Sequence, residues 1–341
     1  MTTAELPLLA RHREAGAVLG EQDGWQVPLS YGNRIGEHTA VRTGCGVRDV
    51  SYRTRLRLSG ADRTSWFHGM CTQNIKALKP GSGAPACCIN DIGRLLFDMV
   101  VYVRADEILL ELDGPLRDKA MEWLDRHVIT EDVVVEDVSN QFLALELAGP
   151  TAVSAFPGLP EAPFGVADHE GAILLGSHGT GTATWQLWVR PGRIDTLWSQ
   201  LHAKARPYGL EAWETLRQEA GHPVYGQDMD EENNPLEADL HAAVSLDKGC
   251  YTGQEVMARL TFRQGPVRSR MGLRSSELLA RGEELLWQDK PMARVSSSTQ
   301  SPTLGYPIAM GYVRRECKAP GTALRRANGG TVEVVDVPWV K

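Results

Sequence analysis

Three observations predict an α+β protein. Residues 54–138 carry strand and helix signals in the order β-α-β-β-α-β, the split βαβ unit of ferredoxin-like folds. Residues 142–206 repeat part of that element order without repeating its sequence. After Gly265 the texture changes to short alternating runs (VRSRMGLR, MARVSS, IAMGYVR, TVEVVDV) separated by Gly and Pro, the pattern of a small antiparallel β-barrel. The expected organisation is a core over residues 1–265 and a barrel domain over 266–341.

Each element has a local cause. Within residues 54–58, Leu56 and Leu58 alternate with Arg55 and Arg57, which predicts a strand with one wet face. Residues 61–70 read as a short helix. Strands over 95–103 and 108–113 are joined by a polar turn at Arg104, Ala105 and Asp106. Asp113-Gly114-Pro115 opens a helix running to His127, because the missing N–H of Pro115 has no intrahelical partner in a first turn anyway. Residues 133–138 close the unit. In the partial repeat, 142–147, 172–175 and 184–190 read as strands and 150–156 as a short helix. Residues 193–206 set Ile194, Leu197 and Leu201 on one helical face. A helix over 211–220, an acidic loop over 226–235 and a Gly-punctuated segment at 249–253 follow.

A chain of 341 residues exceeds what one hydrophobic core usually serves. It is 42% hydrophobic and 23% charged, which excludes a mostly disordered polypeptide. A net charge of −7 argues against a general nucleic-acid footprint while leaving room for a local basic patch. No apolar run approaches the roughly 20 residues that a membrane span needs. Arg11, Arg13 and Glu14 interrupt any signal-peptide core, so a soluble cytoplasmic protein is expected. Six cysteines without a C-x-x-C pair are too dilute for a disulfide scaffold and are expected to be reduced.

The sharpest segment is Lys248-Gly249-Cys250-Tyr251-Thr252-Gly253-Gln254-Glu255, followed by VMARLTF. Its glycines permit a tight turn into a helix. Cys250 then sits just before a helix start and beside Lys248, and both features favour the thiolate that a reactive cysteine needs. The competing reading is a small hydrophobe packed at a turn. Two metal-like patterns fail. Glu237 and His241 at i, i+4 are the spacing of an ordinary helix face. In the Asp228-x-Asp230-x-Glu232 run, Asn233 stands where a calcium loop needs glycine, and Pro235 intrudes. Asp98 lies inside an otherwise apolar strand (LLFDMVVYV). Burying it bare is costly, so it is paired, at an edge, or facing a ligand cavity. Phe97 then points to the opposite face. Trp185, Trp188, Trp213 and Tyr251 either form a platform for a flat heterocycle or fill a core.

Over nearly all its length the chain resembles the folate-binding superfamily of the glycine-cleavage T-protein (aminomethyltransferases). The matching residues are Tyr31-Gly32-x-x-Ile35-x-Glu37-His38 and Val47-x-Asp49-Val50-Ser51, then Leu216-Arg217-x-Glu219-Ala220-Gly221. They continue with Tyr225-Gly226-Gln227-Asp228-Met229-Asp230-Glu231 and Ser301-Pro302-Thr303-Leu304-Gly305-Tyr306. The resemblance implies a ferredoxin-like/Greek-key core of two domains around a tetrahydrofolate cavity, a C-terminal barrel, and a reduced folate as cofactor. The KGCYTGQE segment with Ala258-Arg259, and Ala212-Trp213-Glu214 with Ala220-Gly221-x-Pro223, are similar to the YgfZ-type branch. That likeness implies a protein supporting iron–sulfur cluster assembly or repair and tRNA modification, with iron–sulfur enzymes or assembly proteins as partners. The alternative is a tetrahydrofolate-dependent aminomethyltransferase or other one-carbon transferase.

On this reading Cys250, Lys248 and Asp98 are the chemically active groups. Trp185, Trp213, Tyr225, Tyr251, Gly249, Gly253, Gln254, Glu255 and Arg259 surround the folate. Four positions depart from the aminomethyltransferase pattern that the resemblance implies. Phe97 replaces the first of two adjacent aspartates, and Thr182 a carboxylate for the pterin amide edge. Trp213 stands for the folate-tail arginine, and Tyr52 for the histidine after Asp49-Val50-Ser51.

Overall fold

A computed structural model describes residues 3–340. They form two compact units built from interleaved stretches of chain. The first takes residues up to 69, 74–86 and 99–213; the second takes 70–73, 87–98 and 214 onward.

Two sheets dominate the first unit. In one, Val134–Asp137, Thr54–Ser59, Ile108–Leu112 and Leu95–Val103 lie side by side in the order of a split βαβ unit. An extra strand, Ser82–Ile89, pairs beyond Leu95–Val103. Residues 87–89 and 95–98 of these last two strands count with the second unit. The extra strand escapes sequence periodicity because Gly83 and Pro85 are strand-breaking signals. Its edge position tolerates the proline, which has no N–H to donate. Gly83 is required by close approach, since a Cβ there would stand 2.4 Å from the Val101 carbonyl oxygen.

The second sheet runs Val166–His169, Ala172–Ser177, Thr184–Val189, Leu143–Ala148, Gly46–Asp49, Arg206–Pro207. With helices Ala152–Ala155 and Ile194–His202 it completes a second β-α-β-β-α-β order, of which the partial repeat predicts all but the last strand; the helix expected over 193–206 ends at His202, and Arg206–Pro207 is that strand. Gly46–Asp49 is the departure. This strand of GVRD, too short and too charged for a periodicity signal, is inserted between the first and last strands of the repeat. Between the two sheets lie buried Val50, Tyr102, Ala144, Ile173 and Trp188, and the Tyr102 hydroxyl donates to the Gly176 carbonyl at 2.9 Å. The predicted helix face of Ile194, Leu197 and Leu201 is buried. Side chains of that size contribute about 1.5–3 kcal/mol each when fully removed from water.

In the second unit, six strands close into an antiparallel barrel in the order Arg268–Arg274, Pro307–Arg314, Lys290–Gln300, Glu284–Trp287, Ala323–Arg325, Thr331–Val335. Leu273, Val295, Val313, Leu324 and Val332 fill it. Closure leaves no unpaired edge. Among the described residues no helix is long and apolar enough to cross a membrane.

Candidate functional site

The 248–255 segment belongs to the second unit and folds as a turn leading into the helix Gln254–Arg259. Gly253 makes the turn possible. Its φ of +78° favours glycine, and a Cβ there would lie 2.4 Å from the Asn90 carbonyl oxygen. Lys248 is buried at 7% exposure, and its Nζ donates to the carbonyls of Cys71 at 2.7 Å and Gln73 at 2.9 Å. The same ammonium lies 4.8 Å from the centroid of the Tyr251 ring. Gln254 Nε2 donates to the Lys248 carbonyl at 3.3 Å. A charge stripped of water is thus met by two carbonyl dipoles and a π-face, and the contact ties residues 71–73 to the turn.

Tyr251 packs with Cys87, Leu95 and Met257, and Tyr225 leans on the same cluster. Burial pushes the Tyr251 phenol up to about 12, with Cys71 and Cys87 adding to the shift. Burial raises Cys71 to about 11 and carries Cys87 and Cys88 well above the ordinary thiol range. Cys250 alone of the six cysteines is exposed. Gly249, Glu255 and Arg259 are exposed as well. On Leu95–Val103, Leu95, Phe97 and Met99 are buried while Leu96 and Asp98 are half-buried, the alternation of opposite faces. Phe97 is fully buried. Asp98 is close enough to Cys87 to contribute to the rise of that thiol, after burial.

Trp185 and Trp213 belong to the first unit. Trp185 fills its core, and its indole N–H donates to the Pro160 carbonyl at 2.9 Å. Trp213, 7% exposed, carries the Arg48 guanidinium 4.4 Å from its ring centroid. Arg48 is in turn bound to Glu146 at 3.0 Å, and Glu146 also accepts a hydrogen bond from the Tyr208 hydroxyl. Burial opposes the charge on Arg48 more than any single neighbour favours it, but Glu146, Tyr52 and Tyr208 together outweigh burial and leave the guanidinium protonated. Arg48 Nη1 also reaches the Tyr52 hydroxyl at 3.5 Å, and Arg53 is ion-paired with Glu111 and Asp113. Sequence reasoning misses this charged cluster. Its signal is nevertheless present: Glu111 in ILLEL and Glu146 in LALELA are single acids inside apolar strands, as Asp98 is in LLFDMVVYV.

Many of the residues that carry the family resemblance serve one another as partners. In the first unit, Tyr31 Oη lies 2.9 Å from His12 Nδ1, and His12 Nε2 lies 3.1 Å from Asp49. Glu37 accepts from the backbone N–H groups of Tyr31 at 2.7 Å and Gly209 at 2.9 Å. In the second unit, Arg217 pairs with Asp228 at 2.7 Å, while Glu219 accepts from the hydroxyls of Ser301 and Thr303. These contacts join the 216–221 motif to 225–231 and to 301–306. They hold the fold.

Paired split-βαβ sheets ahead of a closed six-stranded barrel define the class of protein, a two-part α+β fold with a C-terminal barrel. Residues 8–248 match the GCVT N-terminal domain, and residues 268–341 match the glycine cleavage T-protein C-terminal barrel domain. The chain belongs to the glycine cleavage T-protein family. An aminomethyltransferase of Rubrobacter xylanophilus is 29% identical, with 100% of this chain and 95% of that protein covered. Another, from Saccharopolyspora erythraea, is 31% identical, with 99% of this chain and 98% of the relative covered. The crystal structure of glycine cleavage system aminomethyltransferase T from Bartonella henselae shares the fold. Its TM-score is 0.92 at 24% identity, with 99% of this chain and 98% of that one covered.

These relatives correct the expectation of a role in iron–sulfur cluster assembly. Full-length similarity runs to proteins named aminomethyltransferase, and nothing in the comparisons supports cluster partners. The KGCYTGQE likeness spans eight residues, and the turn made by Gly253 and Lys248 gives much of that segment a structural reason.

Proposed function

We propose that this protein is a tetrahydrofolate-dependent one-carbon transferase of the aminomethyltransferase kind. The end-to-end relationship to proteins named aminomethyltransferase carries the reading, since it spans both parts of the fold rather than one motif. The donor chemistry suits a reduced folate. A flat heterocycle wants an aromatic face and polar partners at its edge. In the second unit, Tyr251 is the proposed aromatic face and half-buried Asp98 the proposed carboxylate, with Tyr225, Gln254, Glu255 and Arg259 as further proposed contacts. Bound tetrahydrofolate supplies the nitrogens that accept the one-carbon unit.

Phe97 brings no carboxylate to its strand face. An acid–base group typically contributes about 10²–10⁴-fold, so turnover should fall below that of a relative carrying an aspartate there. Cys250 and Lys248 remain proposed site residues, and the 248–255 signature supports a place on the YgfZ-type branch within this family. The reading assumes a cytoplasmic setting.

The test supplies purified protein with tetrahydrofolate and an aminomethyl-loaded lipoyl carrier. The carrier's carbon–sulfur bond should break as the carbon joins the folate nitrogens, yielding methylenetetrahydrofolate, free carrier thiol and ammonia. Tryptophan quenching should report the binding step separately. Tight quenching with no product from aminomethyl, methylamine or N-methylglycine donors would sink the transferase reading and leave a folate-binding protein. Cys250→Ser with full turnover would remove the thiol from the site.

A further inference from the structure

We propose that the outer face of the barrel carries a binding site for a compact dianion on a small molecule, a phosphoryl group or a pair of carboxylates. Two cavities open on this face, one of about 450 Å³ and one of about 170 Å³, and Arg268, Arg294 and Tyr312 line both. Strand register explains the gathering. Arg268 is opposite Arg314 across the strands Arg268–Arg274 and Pro307–Arg314, and Arg294 is opposite Tyr312 across Lys290–Gln300 and Pro307–Arg314. Residues in register share a face. The intervening Ala293 and Val313 point into the barrel core, so the arginines face outward.

Like charges directly opposite one another destabilise a sheet, and Arg268 with Arg314 is such a pair. Carboxylates answer only part of the charge. Glu237 lies 3.6 Å from Arg268 and 3.7 Å from Arg94, which lines the larger cavity as well. Arg268 is further held 5.1 Å from the centroid of the Tyr312 ring. Arg294 and Arg314 make no side-chain hydrogen bond or ion pair among the described residues, and neither does Glu284, which stands in register with Arg294. Two planar guanidinium forks without acceptors, on the wall of a cavity roomier than the anion itself, provide the recognition chemistry of phosphate and carboxylate. None of these residues belongs to the 248–255 segment.

Titration calorimetry in a low-salt chloride buffer, with pyrophosphate in one arm and succinate in the other, tests the site on the full-length protein. Binding of pyrophosphate alone assigns a phosphoryl ligand; binding of succinate alone assigns a dicarboxylate. The double variant Arg294→Gln/Arg314→Gln should weaken the bound probe by about tenfold or more. Its thermal midpoint should not fall, because neither side chain holds another group. The two single variants give the same reading should the double variant fail to fold. Glu284→Gln should tighten binding by removing the carboxylate in register with Arg294. Silence from both probes at millimolar concentration, unchanged affinity in the arginine variants, or binding no tighter in Glu284→Gln overturns the proposal.

Discussion

Two buried cations, Arg48 of the first unit and Lys248 of the second, are held by opposite means. Arg48 faces a carboxylate: Glu146 neutralises it at 3.0 Å, and Tyr208 and Trp213 complete its shell. Lys248 is met by the carbonyls of Cys71 and Gln73 and by the Tyr251 ring. An ion pair leaves a full charge behind when one partner is lost, whereas a carbonyl-bound ammonium leaves only dipoles. The first arrangement is therefore the more brittle. The difference also shows what each does for the chain. The Arg48 pair fixes two neighbouring strands of one sheet, and the Lys248 contacts fix a loop to a turn.

Glu146→Ala should produce the largest effect. It strands Arg48 without its counter-charge and should cost about 3–5 kcal/mol, read as a lower urea midpoint with unchanged slope. Retention of the wild-type midpoint would break the comparison.

Asp228→Asn extends the test to a fully buried ion pair of the second unit, Arg217–Asp228. Burial opposes ionisation of Asp228, but Arg217 and Ser296 outweigh it and hold the carboxyl below its ordinary value. A depressed folded-state value means stability that is complete above the unfolded carboxylate range, near about 4. That stability drains away as pH falls through the lower folded value. The variant should lose about 3 kcal/mol at neutral pH and show a flatter acid limb below the unfolded value. An acid limb as steep as wild type's would remove Asp228 from the account.

Lys248→Met keeps the apolar stem and deletes two charge-assisted hydrogen bonds, so about 1.5–3 kcal/mol is expected. A loss equal to that of Glu146→Ala would erase the distinction between the two cations. Cys250→Ser, at an exposed position, should stay within about 0.5 kcal/mol in stability. A larger loss would mean the cysteine packs as part of the turn.

The fold was legible wherever periodicity is local. The nine residues of LLFDMVVYV form one strand, Leu95–Val103, at the bounds expected from pattern alone. All four alternating runs after Gly265 became barrel strands. What escaped was short or punctuated: Ser82–Ile89 with its Gly and Pro, Gly46–Asp49 with its charges, and Glu284–Trp287 and Ala323–Arg325 at four and three residues. The 248–255 turn could be read because its glycines and its helix are neighbours in sequence. The Arg48–Glu146 and Tyr208–Glu146 contacts could not, because their residues stand 98 and 62 positions apart. A solitary acid in an apolar strand marks that a partner exists without saying which. The iron–sulfur expectation failed by a related route: an eight-residue likeness is local, and the relationship that overturned it runs the length of the chain.

Gly46–Asp49 gives the second repeat an unusual order of assembly. Arg206–Pro207, the last strand of that repeat, pairs with Gly46–Asp49 rather than with Leu143–Ala148. The repeat is thus unfinished on its own sequence and borrows its central staple from a segment made far earlier. During synthesis that strand leaves the ribosome first and waits for a partner still to be translated. Long-range pairing of this kind is slow and leaves an open edge meanwhile. A fragment beginning after residue 53 would present the Leu143–Ala148 edge bare, a template for pairing with other copies. Residues 143–207 look like a module in their element order, yet the sheet they form is continuous only with residues 46–49 in place.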